Sequence, residues 1–326
     1  TININGSAPF TLGTGTTAVA GTSGETINAS TATGALTITG TNFETITLGT
    51  GDDILKLGAT QISQTIASAK VNYNGGAGTD ILALGAQDLT ATNFLNGATT
   101  STDVVTNFET LTASGAMATG GTANVTRSID ANVISGITTI QAELVNDATA
   151  SSDSTGNDLF LAASDLIAGQ TLKVSGEVSD THVENDNNLT LDMDSPTGSS
   201  DQITVESVAS SAATAHVNNF GALTVNTTTV SGTAEKVDIL EIKASNPDAS
   251  SVVGTTFNAV AAGSTATINI TGASNLQIDA VEILDSSTAD TTVGTIDASA
   301  FTGNLTLGTS SADFKTTDAD DITLTL

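Results

Sequence analysis

Short segments in which apolar and polar residues alternate dominate the chain. A period of two residues is typical of a strand that buries one face, and the polar partner is often Thr, which favours pleated structure. Gly, Asn, Asp and Ser separate the segments and indicate tight turns. Helical periodicity is weak, and it predicts short helices only at Thr60–Lys70 and Ala162–Ile167. The clearest predicted strands are Ala35–Thr39, Glu44–Leu48, Asp53–Leu57, Ile81–Leu84, Leu189–Leu191, Leu223–Val225, Thr267–Ile270 and Ile322–Leu326.

Several of these segments are copies of one another. Ile27–Ile38 and Ile296–Leu307 are identical at seven of twelve positions, and Ile129–Ile140 is a looser copy. The tetrapeptide Asn-Phe-Glu-Thr, followed by an aliphatic residue and Thr, occurs at Asn42–Thr47 and at Asn107–Thr112. Repeated units of this kind are the signature of repeat architectures, although compositional bias in a chain rich in Thr, Gly and Ala can also produce short matches.

Each repeat has the form of a strand, a tight turn at Ser/Thr-Gly and a second strand. A unit of this size cannot bury its own apolar face, whereas units stacked side by side can. The sequence therefore predicts an all-β fold, an elongated right-handed parallel β-solenoid of the β-helix or β-roll type with Gly/Asp turns.

The chain shows no sharp domain break, but its middle differs from its two ends. Residues 146–201 are the most irregular and the most acidic stretch, with Pro196-Thr197-Gly198 as a turn. We expect an N-terminal solenoid block over 1–145 and a C-terminal one over 202–326. The segment between them is either a loop-rich insertion or the join between the two blocks.

Charge excludes several classes of function. Thirty-five Asp and Glu against seven Lys and Arg give a formal net charge of −28 over 326 residues, with no Cys. So few cations cannot neutralise nucleic-acid phosphates or an anionic membrane, and no apolar run approaches the roughly 20 residues of a spanning helix. No thiolate site or disulfide is available. The carboxylates need cations from outside, and the composition indicates an extracellular protein of a microbe.

The sharpest motif is Gly75–Ala83, which reads GGAGTDILA. It matches the nonapeptide G-G-x-G-x-D-x-U-x, which forms parallel β-rolls and binds Ca²⁺. Gly76 and Gly78 permit the tight turn and expose backbone carbonyls, and Asp80 supplies a hard anionic oxygen of the kind that Ca²⁺ prefers. The alternative for such an Asp is to cap the backbone of its own turn.

Two further segments resemble this motif. Leu48–Leu55 lacks the first Gly but keeps Gly49, Gly51 and Asp53, and Asp53 precedes Asp80 by three nonapeptides. If one coil of the solenoid holds that many residues, the two turns stack and share a cation. Ser154–Leu161 is a degenerate version that keeps Gly156 and Asp158.

The motifs at 48–55 and 75–83 resemble those of RTX proteins, the calcium-binding proteins that Gram-negative bacteria secrete through the type I pathway. With the Thr/Ala/Gly bias, the Asn-Phe-Glu-Thr units and the absence of Cys, the chain most resembles the S-layer proteins of that group. The resemblance implies a solenoid that folds on Ca²⁺ and assembles through further Ca²⁺ sites. It also implies a C-terminal secretion signal, with which the acidic and aliphatic stretch Asp318–Leu326 is compatible.

Carried onto this sequence, the resemblance makes aspartates of the motifs side-chain ligands and their glycines backbone ligands or turn formers. Because the chain has two such motifs where an RTX block has many in tandem, isolated sites are expected rather than a long β-roll. The residues implied for the metal are Gly49, Gly51, Asp53, Gly76, Gly78, Asp80 and Asp158.

Signals for an enzyme are poor. The only imidazoles, His182 and His216, lie in no zinc-protease motif, and no nucleophile elbow or P-loop is present. We therefore expect a structural protein at the cell surface, a subunit of a calcium-dependent surface layer that binds copies of itself. An RTX-type adhesin or matrix fibre is the alternative, with a cell-surface polysaccharide as a further candidate partner. A polysaccharide-cleaving enzyme is the third class, disfavoured by a single Tyr and no Trp.

Overall fold

A computed structural model of the chain describes most of its strands and turns. It covers residues 1–13, 19–20, 25–41, 43–57, 72–85, 104–114, 125–131, 134–144, 159–176, 188–193, 200–209, 218–227, 237–245, 255–263, 267–284, 294–308, 315–316 and 323–326. Across these residues the chain forms strands and turns but no α-helix. None of the described elements is a helix that is long and apolar enough to cross a membrane.

The chain divides into two compact units. The first comprises Thr1–Gly115 and Ser128–Gln141, and the second comprises Ala116–Arg127 and Ala142–Leu326. Strands β12 (Val125–Asp130) and β13 (Thr139–Leu144) each contain residues of both units. The other strands of the first unit are β1 (Ile2–Gly6), β2 (Phe10–Leu12), β3 (Val19–Ala20), β4 (Thr26–Ala32), β5 (Leu36–Thr41), β6 (Thr45–Thr47), β7 (Ile54–Leu57), β8 (Asn72–Asn74), β9 (Ile81–Gly85), β10 (Val104–Thr106) and β11 (Thr110–Ser114).

The first unit is a two-sheeted parallel solenoid. Its first sheet has the order β1-β4-β6-β8-β10, and its second has the order β2-β5-β7-β9-β11 with β3 beside β5. Apart from β3, successive strands alternate between the sheets, so that one strand from each makes one coil. All these pairings are parallel. The repeat Ile27–Ile38 spans β4 and β5, and it therefore crosses from one sheet to the other, as a strand–turn–strand unit should.

The second unit follows the same plan with longer strands. One of its sheets has the order β15-β17-β19-β21-β24-β27, and the other has the order β14-β16-β18-β20-β22-β25, with β23 between β20 and β26. Its strands are β14 (Leu159–Leu166), β15 (Thr171–Gly176), β16 (Leu189–Met193), β17 (Gln202–Ser207), β18 (Asn218–Thr227), β19 (Ile239–Ala244), β20 (Thr255–Gly263), β21 (Thr267–Gly272), β22 (Leu276–Ile278), β23 (Val281–Leu284), β24 (Thr295–Asp297), β25 (Leu305–Leu307), β26 (Lys315–Thr316) and β27 (Thr323–Thr325).

The predicted fold class is confirmed, since both units are parallel β-solenoids. Each of the eight clearest predicted strands overlaps an observed one. The alternation also predicts burial correctly: in β17 and β19 every second residue is buried and the residues between are partly exposed. The division into blocks at 145/146 and 201/202 stays a prediction, and β14, β15 and β16 lie inside the segment that we expected to be irregular.

The prediction of a helix at Ala162–Ile167 is wrong. Leu161 and Ala163 pair with β16 in parallel register, and a bulge then re-aligns Leu166 with Met193. Asp165 adopts a left-handed backbone conformation, with φ of 54°, at this bulge. The bulge converts a three-residue apolar spacing, which mimics a helical period, into two inward-facing positions of one strand. The other helix prediction, Thr60–Lys70, lies outside the described residues.

The core of each unit consists of columns of apolar side chains that run from coil to coil. In the first unit one column contains Ile27, Ile46 and Tyr73, which are 1% exposed or less and lie in register on neighbouring strands. The Tyr73 hydroxyl donates a hydrogen bond of 2.9 Å to the carbonyl of Phe43, which satisfies its polar end inside the core. In the second unit Phe220 and Phe257 stack in register with ring centroids 5.1 Å apart.

Candidate metal centre

The two Gly-rich motifs lie one above the other in adjacent coils of the first unit. Ile54 pairs with Ile81, so that Asp53 and Asp80, the residues before them, occupy equivalent positions. The Asp53 N–H donates a 2.8 Å hydrogen bond to Oδ1 of Asp80 across the 27 residues of one coil. The predicted stacking of the two motif turns is therefore observed.

The four motif glycines are places where one turn touches the turn of the neighbouring coil. A Cβ on Gly49 would overlap the carbonyl oxygen of Ala32, and a Cβ on Gly76 would overlap that of Gly49. Gly51 and Gly78 form a second column of the same kind. The carbonyl of Gly49 also accepts the Ala77 N–H at 3.0 Å. These contacts support the role of turn formers for the glycines; their role as ligands stays a prediction.

Asp53 is a fully buried acceptor of backbone hydrogen bonds. Its Oδ1 accepts the N–H of Leu36 in the preceding coil at 2.8 Å, and its Oδ2 accepts the N–H of Gly49 in its own turn at 3.0 Å. Each carboxylate oxygen therefore has a donor, and the side chain fastens two neighbouring coils together.

Asp80 is equally buried but has only one oxygen in a hydrogen bond. Oδ1 accepts the Asp53 N–H, whereas Oδ2 has no hydrogen-bond partner. Oδ2 faces Gly75, where an added Cβ would lie 2.9 Å from it. A buried carboxylate oxygen without a donor is costly unless a proton or a cation accompanies it.

Glu109 continues the same ladder into the next coil, and the sequence did not single it out as a site residue. Its Oε2 accepts the Asp80 N–H at 2.7 Å, while its own N–H donates to the Asp80 carbonyl at 3.1 Å. Equivalent positions in four successive coils are thus held by Leu36, Asp53, Asp80 and Glu109. Each of the three acidic side chains accepts the backbone N–H of the equivalent residue in the coil before. The sequence signal that could have identified Glu109 is an acidic residue immediately before a strand. The strand begins with Ile-Leu after Asp53 and Asp80 and with Thr-Leu after Glu109.

The electrostatic environment of Asp80 favours a bound positive charge. Burial and the neighbouring charges of Asp53, Glu109 and Asp52 raise the pKa of Asp80 to about 7. Burial also raises the pKa of Asp53, although the hydrogen bonds from Leu36 and Gly49 oppose this. A carboxyl whose ionisation is this unfavourable gains more from a bound cation than an exposed one does.

No family, curated protein or solved structure matches the chain in comparisons with known proteins. The assignment of a metal therefore depends on the donor groups themselves. Among the described residues no three His, Cys, Asp or Glu side chains form a group that could hold a metal ion. The open Oδ2 of Asp80 fits a hard cation, which would complete its coordination with backbone carbonyls and water, as Ca²⁺ commonly does.

A second carboxylate contact of the same kind occurs in the second unit without any Gly-rich motif. Gln202 pairs with Ile239, and the preceding Asp201 N–H donates to Oδ2 of Asp238 at 2.8 Å. The triplet Asp-Ile-Leu at 238–240 repeats those at 53–55 and 80–82. An Asp before a strand is therefore a general coil-fastening device here. The remaining predicted ligand, Asp158, lies outside the described residues.

The raised pKa of Asp80 predicts an unusual pH dependence for the metal-free protein. Because the folded state holds its proton up to about pH 7 and an unfolded Asp releases it near pH 4, the stabilising contribution is complete below pH 4 and is lost as the pH rises through about 7. Between about pH 5 and about pH 8, we expect the melting temperature of the wild type to fall relative to that of Asp80→Asn. Calorimetry of metal-stripped protein measures it, and a constant difference would contradict the assignment.

Proposed function

We propose that the chain is a structural subunit of a calcium-dependent extracellular surface layer, which assembles from copies of itself. The observation that carries the proposal is the ladder of stacked carboxylates in the first unit, in which Asp53 and Asp80 are buried and one oxygen of Asp80 has no partner. A chain of formal net charge −28 that buries these two carboxyl groups in its coil turns needs external cations to become compact and to approach another copy.

The uses of the acidic residues support a structural role rather than catalysis. Asp53, Glu109 and Asp238 accept backbone N–H groups of neighbouring coils instead of converging on a cleft. One open pocket of about 480 Å³ lies at the first coil between Ile2 and Leu36, and its lining includes no ionisable side chain. A pocket without an acidic or basic side chain offers no general acid–base chemistry.

Calcium would be held at Oδ2 of Asp80, and when bound it supplies positive charge to a buried carboxylate. The chain's own residues do the rest. Asp53 and Glu109 bind Asp80 from the coils on either side, so that the position of its carboxylate is tied to the stacking of at least three coils. Ordering at this site therefore stabilises the solenoid that presents the assembling surfaces.

Sedimentation velocity tests the proposal in solution. We expect monomers in chelator and large species in millimolar calcium. Magnesium at the same concentration is the matched control for charge screening and should not substitute, because it releases its water reluctantly and demands a stricter geometry. Monomers in all three conditions would contradict self-assembly.

An adhesin is a second candidate, favoured by one surface of the first unit. Asn3, Asn28, Thr47, Asn74 and Thr106 lie in register on five successive strands of the first sheet. All five are exposed or partly exposed, and none is charged. A regular row of neutral hydrogen-bonding groups suits a neutral polysaccharide.

Binding to cell-wall polysaccharide in a pull-down distinguishes the two functions. An adhesin should bind without polymerising, and Asn28→Glu, on the row, should abolish binding. Gln141→Glu, at an exposed polar position outside the row, is the control and should bind as wild type does. Binding that survives Asn28→Glu would remove the row as the adhesive surface.

A further inference from the structure

The two motif aspartates are equivalent in sequence but differ in the donors that reach them. In the earlier coil the Gly49 N–H reaches Oδ2 of Asp53 at 3.0 Å. In the next coil Gly76 is the equivalent glycine, but its N–H donates at 2.9 Å to Oδ1 of Asn74 instead. Oδ2 of Asp80 is left without a donor for this reason.

Two substitutions between the motifs account for this difference. Asn74 pairs in register with Thr47 of the earlier coil, and only the asparagine offers a carbonyl oxygen to the glycine N–H two residues later. The next position is Gly75 in one motif and the buried Leu48 in the other. Gly75 lets the Asn107 carbonyl of the next coil come close beside Oδ2 of Asp80, because an added Cβ would overlap that carbonyl oxygen and would lie 2.9 Å from Oδ2.

We infer that Asp80 is the one of the two motif aspartates that holds the cation, that Asn74 frees it to do so by taking the Gly76 N–H, and that Asp53 is a fastener of coils and not a ligand. The inference rests on the calcium dependence proposed above. A cation approaching either oxygen of Asp53 would meet the positive end of an N–H group already bonded there, whereas Oδ2 of Asp80 is buried and has no hydrogen-bond partner.

Thermal unfolding of the full chain in millimolar calcium and in chelator tests the assignment through the calcium-induced shift in melting temperature. Asp80→Asn keeps the acceptor for the Asp53 N–H and places its amide where no donor points. We expect it to abolish the shift and to melt in chelator at or above the wild-type temperature. Asp53→Asn places an NH₂ against a backbone N–H, so it should melt lower in both conditions but keep the shift.

Two further variants keep the test decisive if one of these fails to fold. Asn74→Thr installs the residue of the preceding coil and should reduce calcium affinity about tenfold, the usual effect of losing a residue that orients a ligand. Asp238→Ala removes the corresponding contact with Asp201 in the second unit and should lower the melting temperature equally with and without calcium.

The possible outcomes separate the inference from the proposed function. A wild-type protein with no calcium shift would overturn both. A wild-type shift that persists in Asp80→Asn, or that disappears in Asp53→Asn, would overturn the different roles of the two aspartates and leave the calcium dependence standing. An unchanged affinity in Asn74→Thr would remove Asn74 from the site.

Discussion

Replacing Gly76 with Ala is expected to destabilise the first unit by about 3 kcal/mol or more. Gly76 has φ of +100°, which L side chains rarely adopt, and a Cβ there would overlap the Gly49 carbonyl oxygen of the adjacent turn. That carbonyl belongs to the backbone and accepts the Ala77 N–H, so it cannot move without breaking the contact between the coils. Denaturant titration of the variant measures the loss.

Gly85→Ala is the matched control for this substitution. Gly85 also has a positive φ, +61°, but an added Cβ would meet no atom within 4 Å. We expect a loss of about 1 kcal/mol, which is the backbone strain without the steric overlap. Equal losses in the two variants would show that strain, and not the close approach of stacked turns, sets the requirement for Gly76.

Replacing Phe257 with Ala is expected to destabilise the second unit by about 3–5 kcal/mol. The ring is fully buried, stacks on Phe220 at 5.1 Å with 24° between the planes, and lies in register with Ile278 of β22. Neighbouring coils are held in parallel register on both sides, so the backbone cannot collapse into the cavity and the full transfer and cavity costs apply.

Phe10→Ala provides the comparison for an exposed ring. Phe10 is 45% exposed in β2, and its truncation should cost about 1 kcal/mol or less. The free energy of unfolding from calorimetry or denaturant titration separates the two cases. A loss below about 1 kcal/mol for Phe257→Ala would contradict the continuous apolar column through the second unit.

Most of the fold could be predicted because strand alternation is local in sequence and because the stacked units repeat one another in sequence. Thr267–Ile270 shows the period of two directly, and the recurrence of Ile27–Ile38 at Ile296–Leu307 indicates a repeated strand–turn–strand unit. Ala162–Ile167 failed because the deciding feature, the bulge at Asp165, is set by pairing with β16, a long-range contact that no local pattern contains.

The site was predictable only in part. The Gly-rich motif identified Asp53 and Asp80, since the residue types and spacing suffice for their stacking. Glu109 and Asp238 were missed because their coils lack the glycines, although both also precede strands. The different surroundings of the two motif aspartates depend on Asn74, whose role follows from where its side chain lies and not from the motif.

Electron microscopy of negatively stained protein in millimolar calcium and in chelator tests the central claim most directly. A calcium-dependent surface-layer subunit should form ordered sheets that dissolve on chelation, and Asp80→Asn should form none in either condition. Dispersed particles of wild-type protein in both conditions would contradict the proposed function.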